Sequence, residues 1–286
     1  MAIARHSPEA TIRVFRARAR EIRLDRPILM GILNVTPDSF SDGGDFSDPE
    51  AAARHVKRAA DEGADILDIG AESTRPGSTP VGADEEWARV FPALRIAHDT
   101  LSLPLSVDTM KASVAARAVS AGADIINDVW GFQRDREMAR VAADTGAGVV
   151  LMHNRHAADP SIDIMSDVRD FLSRSVEIAL RAGMTEDRIL LDPGVGFGKT
   201  PEQSAEVISR LGDLRALGFP ILLGASRKRF IGRLTGVEDP KARLAGTLAA
   251  HICGVLQGAD VIRAHDVAAH REAFSVLAAV REQDRA

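Results

Sequence analysis

The chain of 286 residues holds a single cysteine, Cys253. No disulfide can form within one chain, and a lone thiol suits a reducing compartment. No run of about 18 or more apolar residues occurs, so no segment has the length to cross a bilayer as a helix. The first residues lack the apolar core of a secretion signal, and a cytoplasmic location is expected. Positive charge is not in excess: the net charge is −5 and the pI is about 5.9, which gives no electrostatic reason to expect nucleic acid. Lysine is scarce beside arginine, so a lysine kept against that background, Lys199 or Lys228, is a candidate for chemistry of its own. The first apolar strand lacks a GxGxxG turn, which argues against a dinucleotide fold. The glycine-rich run 192–199 lacks the GxxxxGK[ST] spacing of a phosphate-cradling P-loop.

What is present is a repeated layout. Apolar residues make up 45% of the chain and charged residues 27%, the proportions of a soluble globular protein. Segment 27–33 is almost wholly apolar, as suits a parallel strand covered on both faces. At Asn34 the composition changes to that of a sharply bending loop, with Pro37, Asp38, Ser39, Asp42, Gly43 and Gly44. The same change recurs seven more times. Strands are expected over 65–70, 103–107, 124–126, 147–151, 189–191, 220–223 and 261–262. Helices are expected between them, over 48–62, 84–100, 111–121, 134–145, a stretch ending at Gly183, 202–217 and 240–257, with a last one running to 281. Eight strand–helix units at about 30-residue spacing give a (β/α)8 barrel as a single domain over 27–286. Residues 1–26 form an extension, of which 1–10 read as disordered. Within 11–24, Phe15, Ala17 and Ala19 alternate with Arg16, Arg18 and Arg20, which reads as a strand or hairpin with one wet face, placed as a plug under the barrel.

Polar residues stand at every strand end: Asn34; Glu72, Thr74 and Arg75; Asp108; Asn127; Met152 and His153; Asp192; Ser226 and Lys228; Arg263 and His265. Any one could cap a helix or sit satisfied in a core. Their joint placement on the rim where barrels carry active sites is harder to read that way. Asp108, Asp192 and Asn127 are acceptors for adjacent N–H groups of a planar heterocycle, and Lys228 is a donor to its carbonyl or ring nitrogen. Arg263 and His265 suit an anion such as phosphate.

These segments resemble the dihydropteroate synthases, the folate-pathway enzymes inhibited by sulfonamides. The resemblance rests on LNVTPDSFSDGG (33–44), GAESTRPG (70–77), SVDT (106–109), IND (126–128), MH (152–153), DPGVGFGK (192–199), GASRK (224–228) and RAHD (263–266), which occur in the family's order. It implies a transferase that joins (7,8-dihydropterin-6-yl)methyl diphosphate to 4-aminobenzoate, with Mg2+, by a dissociative route. It implies pterin contacts from Asp108, Asn127, Met152, Asp192, Phe197, Lys228 and Arg263, and diphosphate contacts from Asn34, Arg263 and His265. Phe40, Thr74, Arg75, Pro76 and Ser226 would face the aminobenzoate. Asn34 and Asp42 would approach the metal, and Asp42, Asp108, Asp192 and Lys228 would carry the catalysis. A homodimer through the late helices is implied as well. The chain departs from many family members at Asn154-Arg155-His156 and at Arg229. Two other readings are a methyltransferase acting on methyltetrahydrofolate and a non-catalytic pterin-binding relative. The methyltransferase would not need the diphosphate set or the loops NVTPDSFSDGG and ESTRPG, all present here, and the non-catalytic relative would be favoured by loss of Lys228, Asp42 or Arg263, none of which is lost.

Overall fold

The structure is a computed structural model, and it describes residues 13–35, 49–72 and 81–283. The expectation of disorder over 1–10 lies outside them. Strands β1 (Val14–Ala17) and β2 (Arg20–Arg23) pair antiparallel as a hairpin, with Phe15 opposite Ile22. Eight further strands follow: β3 (Ile28–Asn34), β4 (Ile66–Gly70), β5 (Leu105–Asp108), β6 (Ile125–Asp128), β7 (Gly148–Met152), β8 (Ile189–Asp192), β9 (Leu222–Leu223) and β10 (Val261–Ala264). They lie parallel in the order β8-β7-β6-β5-β4-β3-β10-β9, and a parallel bridge from Leu191 to Ile221 joins the two ends. The result is the expected (β/α)8 barrel.

Helices α1 (Pro49–Asp61), α2 (Ala83–Thr100), α3 (Ala112–Ser120), α4 (Met138–Thr145), α5 (Ile164–Arg181) and α6 (Pro201–Ser209) follow β3 to β8 in turn. After β9 come α7 (Arg229–Thr235) and α8 (Leu244–Leu256), and α9 (Val267–Gln283) follows β10. Three expected helices are shorter than read; the one expected over 134–145 begins only at Met138. The stretch 202–217 breaks at Arg210, whose ψ of 19° is not helical, and continues as a 3-10 segment over Leu211–Leu217. Gly212 weakens an α-helix there, and the threefold winding buries Leu211 and Leu214 together. The stretch 240–257 is a 3-10 turn over Pro240–Ala242 followed by α8. Helix α7 was not expected at all. Its seven residues are too few to show a period, and Gly236 ends it with φ at 75°.

The inward face of the barrel turns polar near the carboxyl ends of several strands. Met30, Ile66, Ile125, Val150, Leu190, Leu222 and Val261 fill the lower layer. Two positions further along four of those strands stand Asp68, Asn127, Asp192 and Arg263. The outward alternates, among them Leu67, Ile69, Val107, Ile126, Leu151, Leu191 and Ile262, pack under the helices. Phe15, Ala17 and Ile22 of the hairpin join the lower inner layer from beneath. A side chain at Gly148 would strike Phe15 and the Arg16 carbonyl, so the glycine lets the hairpin close against β7. Three arginines in or beside the hairpin are anchored by one repeated device. Asp65, Asp124 and Asp260 each precede a strand and accept from a backbone N–H at the neighbouring strand, those of Leu29 (2.8 Å), Leu105 (3.1 Å) and Ile221 (2.9 Å). Arg26, Arg20 and Arg13 pair with them respectively.

Candidate active site

Strands β4, β5, β6 and β10 build the first wall at the mouth of the barrel. Asp68, fully buried in β4, is their hub: its Oδ2 accepts from Arg263 Nε of β10 at 2.6 Å and from Asn127 Nδ2 of β6 at 3.1 Å. Arg263 Nη2 also donates to Asp108 Oδ2 of β5 at 2.8 Å. Arg263 is therefore held in plane by two carboxylates, an arrangement that suits a guanidinium better than an ammonium. Burial pushes the Asp108 carboxyl up to about 7, against the pull of Arg263. Asp68 was absent from the sequence-based set, although a charged residue within Ile66-Leu67-Asp68-Ile69 was a usable signal. Its Oδ1 has no hydrogen-bond partner among the described residues.

The second wall comes from β8 and β9. Gly224 leaves open the space that a side chain would fill. A Cβ there would lie 3.9 Å from Asp192 Oδ2, 3.9 Å from Lys228 Nζ and 3.7 Å from Arg263 Cβ. Asp192, Lys228 and Arg263 thus converge around one small cradle. Asp192 Oδ1 accepts from Gly194 N at 2.7 Å, and burial raises its pKa. Lys228 donates to Val195 O at 2.6 Å and lies 4.5 Å from the centroid of the Phe197 ring. Burial lowers its pKa to about 8, with Asp192 opposing. Met152 is buried at the end of β7. The other scarce lysine, Lys199, is structural here. Its Nζ donates to Gly194 O at 2.8 Å and Phe197 O at 3.2 Å and meets His153 Nδ1 at 2.6 Å. His153 therefore carries its proton on Nε2 and donates to Asp167 at 3.0 Å. Burial, then the neighbouring Lys199, lowers the imidazole to about 3, and burial lowers Lys199 to about 7. Together they staple the loop 193–198, where Gly194 has φ at 65° and a side chain would collide with the His153 carbonyl.

A third group forms a corner beside these. Ser226 Oγ meets His265 Nδ1 at 2.9 Å and accepts from His265 N at 3.2 Å. Asn34 Nδ2 lies 3.5 Å from His265 Nε2, which joins the end of β3 to the same corner. The Arg227 guanidinium pairs with the Asp266 carboxylate behind it. Asn34, Asp108, Met152, Asp192, Phe197, Ser226, Lys228 and His265 thus stand at or beyond the strand ends, and Asn127 and Arg263 one residue inside theirs, on the rim read from the sequence. Phe40, Asp42, Thr74, Arg75 and Pro76 lie outside the described residues. Cys253 is exposed on α8.

Buried carboxylates, an amide, a lysine and an arginine stand beside the Asn34–Ser226–His265 corner at the rim where barrels of this kind carry active sites, which makes this an enzyme barrel. The family model described as "Pterin binding enzyme" matches residues 30–265, and the chain belongs to that family. Within it, the similarity is to dihydropteroate synthases. The chain is 49% identical to that of Bacillus subtilis (strain 168) over 85% of each chain. Among solved structures it is 46% identical to the Xanthomonas albilineans dihydropteroate synthase with 4-aminobenzoic acid, with a TM-score of 0.91 over 95% of this chain and 99% of that one. The Xanthomonas albilineans enzyme in complex with 7,8-dihydropteroate matches with a TM-score of 0.87 at 44% identity, over 94% of this chain and 98% of that one.

Proposed function

We propose that the chain catalyses the dihydropteroate synthase reaction. The observation that carries this reading is the convergence of Asp192, Lys228 and Arg263 on the Gly224 cradle, next to the Asn34–Ser226–His265 corner. Asp192, Asp108 and Asn127 accept from the N–H edge of the pterin while Lys228 donates to its acceptors. Phe197 and Met152 flank the ring, and Arg263 lies against it and reaches the diphosphate. His265 and Asn34 hold the diphosphate. Ser226, with Phe40, Thr74, Arg75 and Pro76, forms the aminobenzoate side. The carbon–oxygen bond to diphosphate breaks first, and its electron pair leaves with the diphosphate. The methylene cation is delocalised into the pterin ring and stabilised by the buried carboxylates. The aromatic amine then attacks that carbon and loses a proton. No protein nucleophile takes part. A methyltransferase on methyltetrahydrofolate, or a pterin-binding protein without activity, would have no use for the diphosphate corner.

The reading includes Mg2+ as cofactor. Among the described residues no group of three or more His, Cys, Asp or Glu is placed to hold a metal. That suits an ion bound by one or two protein oxygens together with substrate phosphates, which is the usual mode for Mg2+. Asn34 turns its amide nitrogen to His265, leaving its oxygen as the hard donor, and Asp42 is the second. When bound, Mg2+ neutralises charge that builds on the departing diphosphate. The reading also includes a homodimer. Leu234 of α7, Leu256 of α8 and Val276 and Val280 of α9 are exposed, 56–61% each, on helices that pack in sequence.

The test is release of diphosphate from the pterin diphosphate by purified protein with Mg2+. Release that depends on 4-aminobenzoate and yields dihydropteroate supports the reading, and release independent of the amine overturns it.

A further inference from the structure

Two imidazoles lie wholly buried behind the Ser226–His265 corner, and the reaction as described makes no use of them. They are His251 of α8 and His270 of α9. Their protons are placed by the backbone at either end. The Ala225 N–H donates to His251 Nε2 at 2.9 Å. An amide nitrogen can only donate, so Nε2 is a lone pair and the proton of the neutral ring sits on Nδ1. His251 Nδ1 lies 2.7 Å from His270 Nε2, which must accept, so the second ring also carries its proton on Nδ1. That proton is given to the Asp266 carbonyl at 2.6 Å. The result is one continuous chain of hydrogen bonds, Ala225 N–H to His251 to His270 to Asp266 C=O. It has no place for a third proton, which would set two N–H groups face to face. Burial lowers the pKa of both rings, and for His251 the neighbouring His270, Lys228 and His265 lower it further.

The relay ends on residues that flank the corner. Ala225 precedes Ser226, and Asp266 follows His265. A second tie runs beside it: Thr247 of α8 accepts from Arg227 N at 3.0 Å, and the Arg227 side chain pairs with the Asp266 carboxylate. Arg227 has φ at 57°, a left-handed backbone that a non-glycine residue keeps only when its surroundings hold it there. The amides on both sides of Ser226 are therefore gripped from α8, and the carbonyl next to His265 is gripped from α9.

We propose that His251 and His270 are positioning residues: a neutral two-imidazole relay that sets the spacing between Ser226 and His265 and so presents His265 to diphosphate. The proposal rests on the reading that this corner binds diphosphate, and the test separates the two. Calorimetry would measure the affinity of purified protein for diphosphate with Mg2+ and, separately, for a pterin lacking phosphates. Wild type that fails to bind diphosphate would remove the corner from that role, whatever the variants do. If it binds, His251→Leu, which can neither accept nor donate, is expected to weaken diphosphate by about tenfold, the loss of about one hydrogen bond, and to leave pterin affinity within about twofold. His251→Gln, which keeps an acceptor where Nε2 stands, should restore most of the loss. His251→Asn, which reaches only toward His270, should not, and this pair decides the matter even if the leucine variant does not fold. Equal diphosphate affinity in the Gln and Asn variants, or parallel loss of pterin and diphosphate binding, would overturn the positioning role and leave the histidines as core packing.

Discussion

At the scale of single residues, the site depends on buried charges whose protonation differs from that in water. Asp192→Asn removes a charged acceptor from a buried cluster of donors. It is expected to weaken pterin binding by about 2–4 kcal/mol, read by calorimetry, where unchanged affinity would take Asp192 out of the site. Lys228 gives a pH signature. Burial holds its pKa at about 8 in the folded chain, against the ordinary 10.5. The folded state then binds fewer protons than the unfolded state between those values. The stability cost of the buried ammonium is thus full below about 8 and fades as pH rises to 10.5. Ligand binding runs the other way, because the pterin needs the ammonium as donor. Pterin affinity should therefore fall as pH climbs through about 8, and Lys228→Met should lose that alkaline limb. A limb that persists in the variant would assign it to another group. Most of these residues were legible in the sequence because each breaks an apolar strand at its carboxyl end. Asp68 was not read, since it stands two residues inside its strand and gains its meaning only when Arg263 and Asn127 arrive from other strands.

At the scale of elements, the alternation of each strand carries two instructions. One face packs beneath the helices, while the other fills the barrel and turns polar near the rim. The hairpin supplies the floor of that inner layer. Phe15 has no exposed surface there, and Phe15→Ala should cost about 3–5 kcal/mol through the cavity left at the base of the barrel. A thermal melt would measure this, and a melting temperature equal to wild type would mean that the hairpin does not support the barrel. The alternation of Phe15 and Ala17 with Arg16 and Arg18 disclosed the hairpin, because a period of two is a local property. Helix α7 and the break at Arg210 were not disclosed. A seven-residue helix has too few turns to reveal a face, and at the break Gly212 is a weak local signal, the burial of Leu211 and Leu214 deciding the winding.

At the scale of the whole molecule, closure of the sheet turns eight separate strand ends into one site. Self-association belongs to this scale as well. Val276→Glu would place a charge among the exposed apolar residues of α7, α8 and α9. If these form a homodimer interface, light scattering should report a dimer for wild type and self-association weakened by about tenfold or more in the variant. A monomeric wild type would end the dimer reading.

The order of the eight barrel strands and the main helices between them, the polar rim and the acceptor, lysine and cation set are all local or periodic features, and the chain alone determined them. Hydrophobic periodicity places each element, and a change of composition marks where each strand leaves the core. The chain could not determine which carboxylate meets which cation, because Arg263 lies 195 positions from Asp68 and 155 from Asp108. Nor could it determine that Lys199 serves as a staple while Lys228 faces the cradle, or that His251 donates to His270. Those outcomes follow from which side chains the closed barrel and its helices bring within hydrogen-bond distance, and only the tertiary structure sets that.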